Sequence, residues 1–286
     1  MKIKCVWAVY FSPTDTTKRV VTIAANAAAE ALQVPVKHWD ITLPGPRKEG
    51  KSFEEGDLVI LGTPVYAGRV PNVIVKDLAL LQGNGALGVP VNCYGNRNFD
   101  NALIELRDIM ERGGFHTTAA SAFVCEHSFS KVLGAGRPDD KDLQLAFNFG
   151  WKLGYEVEKL LTKCRENGGE WTFAPIDVPG IPETYGGYYQ PRDRHGNPID
   201  IRKVKPLTGD NCNGCGLCAE ICPMGSIDPK DVRQFTGICI KCGACIKKCP
   251  QGAKYYEDPG YLYHKTELEE MYTRRAEPEV FFLKEK

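Results

Sequence analysis

The chain has 286 residues, 43% of them hydrophobic and 25% charged, with 36 basic side chains balancing 36 acidic ones. That length suggests two domains, and the balanced charge gives no support to a nucleic-acid or other polyanionic partner. No apolar run approaches the ~20 residues of a membrane span, so no membrane span is expected.

The opening MKIKCVWAVYFSPTD has a basic head and a short apolar run, but no small-residue cleavage site. It reads as a first β-strand over residues 2–11 rather than a signal peptide. An Ala-rich helix follows over 16–32, then a short strand at 35–39 and a Pro/Gly loop at 44–50. Residues 57–62 (DLVILG) form a continuous apolar run, as a strand covered on both faces requires. A helix at 73–81, a strand at 89–94, a helix at 101–112 and a strand at 119–124 continue the alternation. Gly83-Asn84-Gly85-Ala86-Leu87-Gly88 matches a dinucleotide fingerprint in letters only. It follows a helix and precedes a strand, so it reads as a turn. A long amphipathic helix spans 139–164, and its Leu143, Phe147, Trp151 and Tyr155 recur at helical spacing as a core stripe. Five strands alternating with helices imply an α/β fold, a parallel sheet with helices on both faces.

From 167 to 206 that pattern disappears, and Gly, Pro and Tyr dominate. The expected organisation is a first domain at 1–165, a linker at 166–206 whose tyrosines pack on a surface, a cysteine module at 207–255, and a tail at 256–286. The tail carries a short helix at 265–275.

Eight of the twelve cysteines stand in two copies of one spacing. Cys212, Cys215, Cys218 and Cys222 precede Pro223; Cys239, Cys242, Cys245 and Cys249 precede Pro250. Each reads C-x2-C-x2-C-x3-C-P, the run that ligates cubane iron–sulfur clusters. Zinc pairs show C-x2-C twice with a wider gap. Neither half could bury a core alone, so clusters would replace the missing interior. Clusters that only hold the module together are the bland alternative. Cys5, Cys93, Cys125 and Cys164 lie among apolar neighbours and read as buried free thiols. Together with the tandem runs they point to a reducing, cytoplasmic setting.

Ser12-Pro13-Thr14-Asp15-Thr16-Thr17 links the first strand to the first helix. A hydroxyl-rich loop at a helix start is an anion site, with an ordinary N-cap as the alternative. It lacks the Gly-Lys-Ser of a nucleotide triphosphatase and carries no cation before Lys18, which suits a phosphate monoester. Gly62 to Gly68 and Tyr94 to Arg97 lie at carboxyl ends of strands, where doubly wound sheets bind ligands. Cys125 and His127 hint at nucleophilic catalysis but lack an orienting third group, so no catalytic residue is assigned. Residues 130–142 read as a loop over the sheet top.

Over about fifty residues the tandem runs resemble the bacterial-type ferredoxin domain. That resemblance implies crossed ligation: one [4Fe-4S] cluster on Cys212, Cys215, Cys218 and Cys249, the other on Cys239, Cys242, Cys245 and Cys222. Gly214, Gly216 and Gly243 would bring N–H groups to sulfur, and such centres sit at about −400 mV. Lys241, Lys247, Lys248 and Lys254 would offset cluster charge, form a docking face, or simply face water. Residues 1–165 resemble the flavodoxin family, whose FMN phosphate loop reads S/T-x-T-G-x-T. That likeness implies phosphate binding by Ser12, Thr14, Thr16 and Thr17. It implies flavin contacts from Pro64, Val65, Tyr66, Ala67 and Gly68, and from Tyr94, Gly95, Asn96 and Arg97, with backbone atoms around Gly68, Gly95 and Asn96 meeting its pyrimidine edge. Tyr66 and Tyr94 would flank the ring, and Arg97 or Arg69 would sit near it. Asp15 departs from the family Gly and puts a carboxylate near the phosphate.

The whole resembles flavodoxin–ferredoxin fusions of anaerobes. The implied architecture is a flavodoxin-like, doubly wound five-stranded parallel sheet plus a small α+β two-cluster ferredoxin domain. The implied role is an electron relay between two [4Fe-4S] clusters and FMN, and onward to a redox partner protein or small-molecule acceptor. An FMN-dependent reductase of a small acceptor and a non-catalytic subunit of a larger redox complex are the alternatives. Homo-oligomerisation is left open.

Overall fold

The computed structural model describes residues 2–283. Its main sheet contains β1 (Cys5–Tyr10), β2 (Val36–Asp40), β3 (Asp57–Pro64), β4 (Leu87–Tyr94), β5 (Ala119–Val124) and β6 (Glu279–Phe282), in the order β6-β5-β4-β3-β1-β2. A two-residue strand, His116–Thr117, also pairs with β4. Strands β1 to β5 pair in parallel. Their order 2-1-3-4-5 is the flavodoxin-like doubly wound order, whose ligand crevice opens where the order reverses, between β1 and β3. The crossovers are α1 (Thr16–Leu32), α2 (Asn72–Leu78) and α3 (Ala102–Arg112), and α4 (Asp140–Glu166) follows β5.

Helices on both faces explain why β3 and β4 are buried along nearly their whole length. On one face Val21, Ala24 and Ala28 of α1 meet Phe149, Leu153 and Val157 of α4 over Ile60 and Val91. On the other, Ile74 and Leu78 of α2 join Leu106 and Ile109 of α3 over Val59 and Leu61. The Ala-rich composition of α1 has a packing reason. A Cβ added at Gly150 would strike the Ala24 carbonyl, so α1 and α4 touch backbone to backbone. The start of α4 is fixed by a capping box. Asp139 accepts from the N–H groups of Lys141 and Asp142 at 3.1 Å, and Asp142 accepts from Asp139 at 2.9 Å.

The aromatic stripe on α4 is not core. Phe147, Trp151 and Tyr155 are 38, 46 and 63% exposed. The face turned inward carries Phe149, Leu153 and Val157 alongside Ala146, Gly150 and Gly154, and at the glycines only a small residue allows the close approach to α1. Large rings there would hold the helices apart. Phe147 and Trp151 instead stack on each other at 6.1 Å on the outer surface.

The segment after α4 packs on the α/β layer. Ile176, Val178 and Tyr185 enter a core cluster with Leu103 and Ile104. The Arg69 guanidinium lies 4.7 and 4.8 Å from the ring centres of Tyr185 and Tyr188, and makes a buried bidentate pair with Glu105. The expected tail helix is displaced towards the N-terminus, forming α5 (Pro259–Met271). Beyond it, β6 returns to pair antiparallel with β5, a sixth long strand that the alternation rule did not anticipate. Gly83 to Gly88 is the expected turn running into β4, with Asn84 and Gly85 at positive φ. Among the described residues, no helix is long and apolar enough to cross a membrane.

Candidate cofactor sites

The cysteine module repeats its backbone as it repeats its sequence. Gly216 and Gly243, both in the left-handed region, open the single turns Leu217–Glu220 and Ala244–Lys247. Four residues after the last cysteine of each run, an N–H returns to its sulfur: Ser226 to Cys222 at 3.4 Å, and Ala253 to Cys249 at 3.3 Å. The proline ending each run is followed by a turn, closed by Gly225 N–H to the Cys222 carbonyl and Gly252 N–H to the Cys249 carbonyl.

Two cavities result. One is lined by Cys212, Cys215 and Cys218 of the first run together with Cys249 of the second. The other is lined by Cys239, Cys242 and Cys245 together with Cys222 of the first. All eight cysteines are free of disulfides. Among the described residues, no three His, Cys, Asp or Glu side chains converge on a point as a single ion needs. Four sulfurs around a cavity fit a cubane, with thiolates on its corners and backbone N–H groups directed at sulfur. Lys254 is buried beside the first cavity, donating to Thr208 Oγ1 at 2.7 Å and the Val232 carbonyl at 2.5 Å. Its charge would offset that of an anionic cluster bound there.

Exposure separates the two cavities. Cys215 of the first is exposed, while Cys242 and Cys245 of the second are buried. The difference arises because the second run sits on the sheet top. Ile240 packs against the cluster around Phe11 and Ile41. Buried Arg47 donates from Nη1 to the carbonyls of Thr42 and Pro223, both at 2.7 Å, and from Nε to Asp77 at 2.7 Å. Gly243 lies so near the Ser128 carbonyl that a Cβ would come within 2.5 Å of it. Lys247 pairs with Glu126 and donates to the Ser130 carbonyl at 2.9 Å, and Lys248 pairs with Asp15 at 2.7 Å. Two of the four module lysines therefore form an internal docking face. Lys241 is turned to backbone carbonyls of Arg202 and Cys239, each at 3.0 Å.

At the start of α1, Ser12 and Thr17 are buried, and Ser12 Oγ accepts the Lys18 N–H at 2.9 Å. The hydroxyls of Thr14 and Thr16 lie 3.4 Å apart. The N–H groups of Thr16 and Thr17 belong to the first helical turn and have no intrahelical partner. With no acidic residue in that turn, the donor set suits a phosphate.

The ring-side residues divide. Half-buried Tyr66 lies towards the second cavity, and burial, then Cys242 and Cys239, push its phenol well above its usual range. Pro64 ends β3 and Val65 follows it, Gly68 takes φ 77°, and the Ala67 carbonyl accepts the Tyr189 N–H at 2.8 Å. Tyr94 faces elsewhere. Its ring packs on Phe99 at 5.6 Å in a buried cluster, and its hydroxyl donates to the Glu277 carbonyl at 3.3 Å. The Asn96 amide donates to the carbonyls of Tyr272 and Arg274, while its Oδ1 accepts from the Ala276 N–H at 3.0 Å. Arg97 pairs with Asp100 and stacks on Tyr189 at 4.9 Å. The Tyr94 and Asn96 side chains thus bind the chain's own C-terminal segment rather than facing the crevice.

An aromatic row that the sequence did not single out joins the second cavity to the Gly95 loop. Tyr256 lies 3.9 Å from Cys239 Sγ and stacks on Tyr261 at 3.9 Å. Tyr261 meets Phe129 at 4.7 Å, and Phe129 stands edge-on to His127 at 5.2 Å. Gly95 backs onto His127, leaving no room there for a Cβ. His127 Nδ1 accepts the Phe129 N–H at 3.1 Å, which puts the neutral ring's proton on Nε2. Burial, with Lys247 and His264 nearby, lowers its pKa to about 3. Burial also raises the Cys125 thiol well above its usual range, so this thiol is not an activated nucleophile.

Residues 211–258 match the family model described as a 4Fe-4S dicluster domain. No curated protein matches the sequence. Among solved structures, the chain is similar to a flavodoxin from the domain Archaea at 18% identity, over 55% of this chain and 99% of that one, with a TM-score of 0.39. It is similar to the Streptococcus pneumonia TIGR4 flavodoxin at 19% identity, over 54 and 99% of the two chains, with a TM-score of 0.37. It is also similar to the Flv1 flavodiiron core from Synechocystis sp. PCC6803 at 18% identity, over 55 and 37%, with a TM-score of 0.40. The strand order itself carries the fold: a flavodoxin-like sheet and a 4Fe-4S dicluster domain share one chain.

Proposed function

We propose that this protein is an electron relay in which single electrons pass between an external redox partner and a flavin through two [4Fe-4S] clusters in fixed order. The outer cluster is held by Cys212, Cys215, Cys218 and Cys249. The inner one is held by Cys239, Cys242, Cys245 and Cys222. The observation that carries the reading is the exposure gradient: Cys215 is exposed, whereas Cys242 and Cys245 are buried against the sheet top. An external one-electron carrier can therefore approach the outer cluster, while the inner one faces the flavin crevice. FMN, when bound, converts between one- and two-electron chemistry.

The chain's own residues do the rest. Ser12, Thr14, Thr16 and Thr17 hold the phosphate by neutral donors. Tyr66, Gly68 and the Gly95 backbone shape the ring side. Arg47, Ile240 and Lys247 hold the inner cluster's ligand runs against the sheet. His127, neutral with its proton on Nε2, backs the Gly95 loop without adding charge.

Anaerobic purification with iron and FMN quantified, followed by rapid reduction with a one-electron donor, tests the relay. The expected course is cluster reduction followed by flavin reduction. A preparation that takes up no flavin overturns it, and steady turnover of a small acceptor moves the assignment to a reductase. Iron content checks the crossed ligation. Cys212→Ser with Cys215→Ser should remove half the iron. Adding Cys249→Ser should remove no more, while adding Cys222→Ser should remove the remainder. Ligation within each run predicts the reverse.

A further inference from the structure

The loop assigned to the phosphate contains a carboxylate that would repel it. Asp15 occupies the N-cap position of α1, yet its side chain makes no cap bond, although capping is the usual reason for Asp at a helix start. Its backbone lies at φ 65°, in the left-handed region. The carboxylate is instead bonded to Lys248 Nζ at 2.7 Å. Lys248 comes from the other end of the chain. It directly precedes Cys249 and follows the turn Ala244–Lys247, and its neighbour Lys247 is pinned to Glu126 and the Ser130 carbonyl. The position of Lys248 is thus set by the same turn that presents the second set of cluster ligands.

We propose that Lys248 is a positioning residue of the FMN phosphate site, so that tight phosphate binding requires the docked iron–sulfur module. It draws the Asp15 carboxylate towards itself and cancels its charge. The inference rests on the FMN reading above. The charge sum makes it quantitative. Asp15 with Lys248 is net zero. Without the lysine the loop carries an extra negative charge, and without the carboxylate an extra positive one.

The test uses the full chain with clusters loaded, titrated anaerobically with FMN and with riboflavin, which lacks the phosphate. Lys248→Gln should weaken FMN binding by about tenfold, the scale of one unit charge beside a phosphate in high dielectric, and leave riboflavin unchanged. Asp15→Asn should tighten FMN by a similar factor, and the double variant should return to about the wild-type value. These differences should shrink as salt rises. Asp15→Asn lies away from the cluster ligands, so it tests the charge balance even if Lys248→Gln loses iron. Unchanged FMN affinity in both single variants overturns the proposal, as does equal loss of FMN and riboflavin in Lys248→Gln. Wild-type protein that binds neither ligand overturns the FMN reading itself.

Discussion

Tyr256 places its hydroxyl 3.9 Å from the sulfur of Cys239. A hydrogen bond to a ligand sulfur stabilises the reduced, more negative cluster. Tyr256→Phe should therefore lower the potential of the inner cluster and leave the outer one unmoved, as read in a spectroscopic redox titration. His127 governs a different response. Its folded pKa of about 3 lies below the ordinary value of 6.5, so the unfolded chain takes up the proton first. The stability tied to its neutral form is complete above pH 6.5 and is lost as pH falls from there towards 3. His127→Gln should flatten the acid limb of unfolding midpoint against pH between those values. The cysteines were legible in the sequence because their spacing encodes the geometry of a cubane. The side-chain bonds of Tyr94 and Asn96 to the C-terminal segment were not legible, because their partners Glu277 and Ala276 lie about 180 residues away in sequence.

Between α1 and α4 the contact depends on absent side chains. Gly150→Ala would drive a methyl group into the Ala24 carbonyl and should destabilise the fold by about 1–3 kcal/mol, seen as a lower thermal midpoint. Trp151→Ala, on the exposed side of the same helix, should change that midpoint far less. Helical periodicity identified α4 but not its buried face. Four aromatic or leucine residues at a spacing of four look like core. Gly150 and Gly154 show why they are not, since the tighter contact belongs to the smaller residues. Strand–helix alternation made the parallel sheet legible as far as β5. It could say nothing of β6, which pairs antiparallel and comes from more than 150 residues beyond β5 in sequence.

At the scale of the molecule, Arg47 is the buried link between the two layers. Arg47→Ala would leave Asp77 without its guanidinium partner and the Pro223 carbonyl without a donor. The expected cost is about 2–4 kcal/mol, with faster hydrogen exchange in the cysteine module and slower electron transfer from cluster to flavin. In sequence, Arg47 stands in an unremarkable Pro/Gly loop. Its role comes from 176 residues of separation, which no local pattern reports.

Because β6 closes the sheet after the cysteine module has been made, the α/β layer is finished last. Until then the open edge of β5, rich in alanine, is available for pairing with other chains. A chain truncated before Glu279 should therefore leave that edge unsealed and be more prone to aggregation and proteolysis, even though its other sheet residues are unaltered.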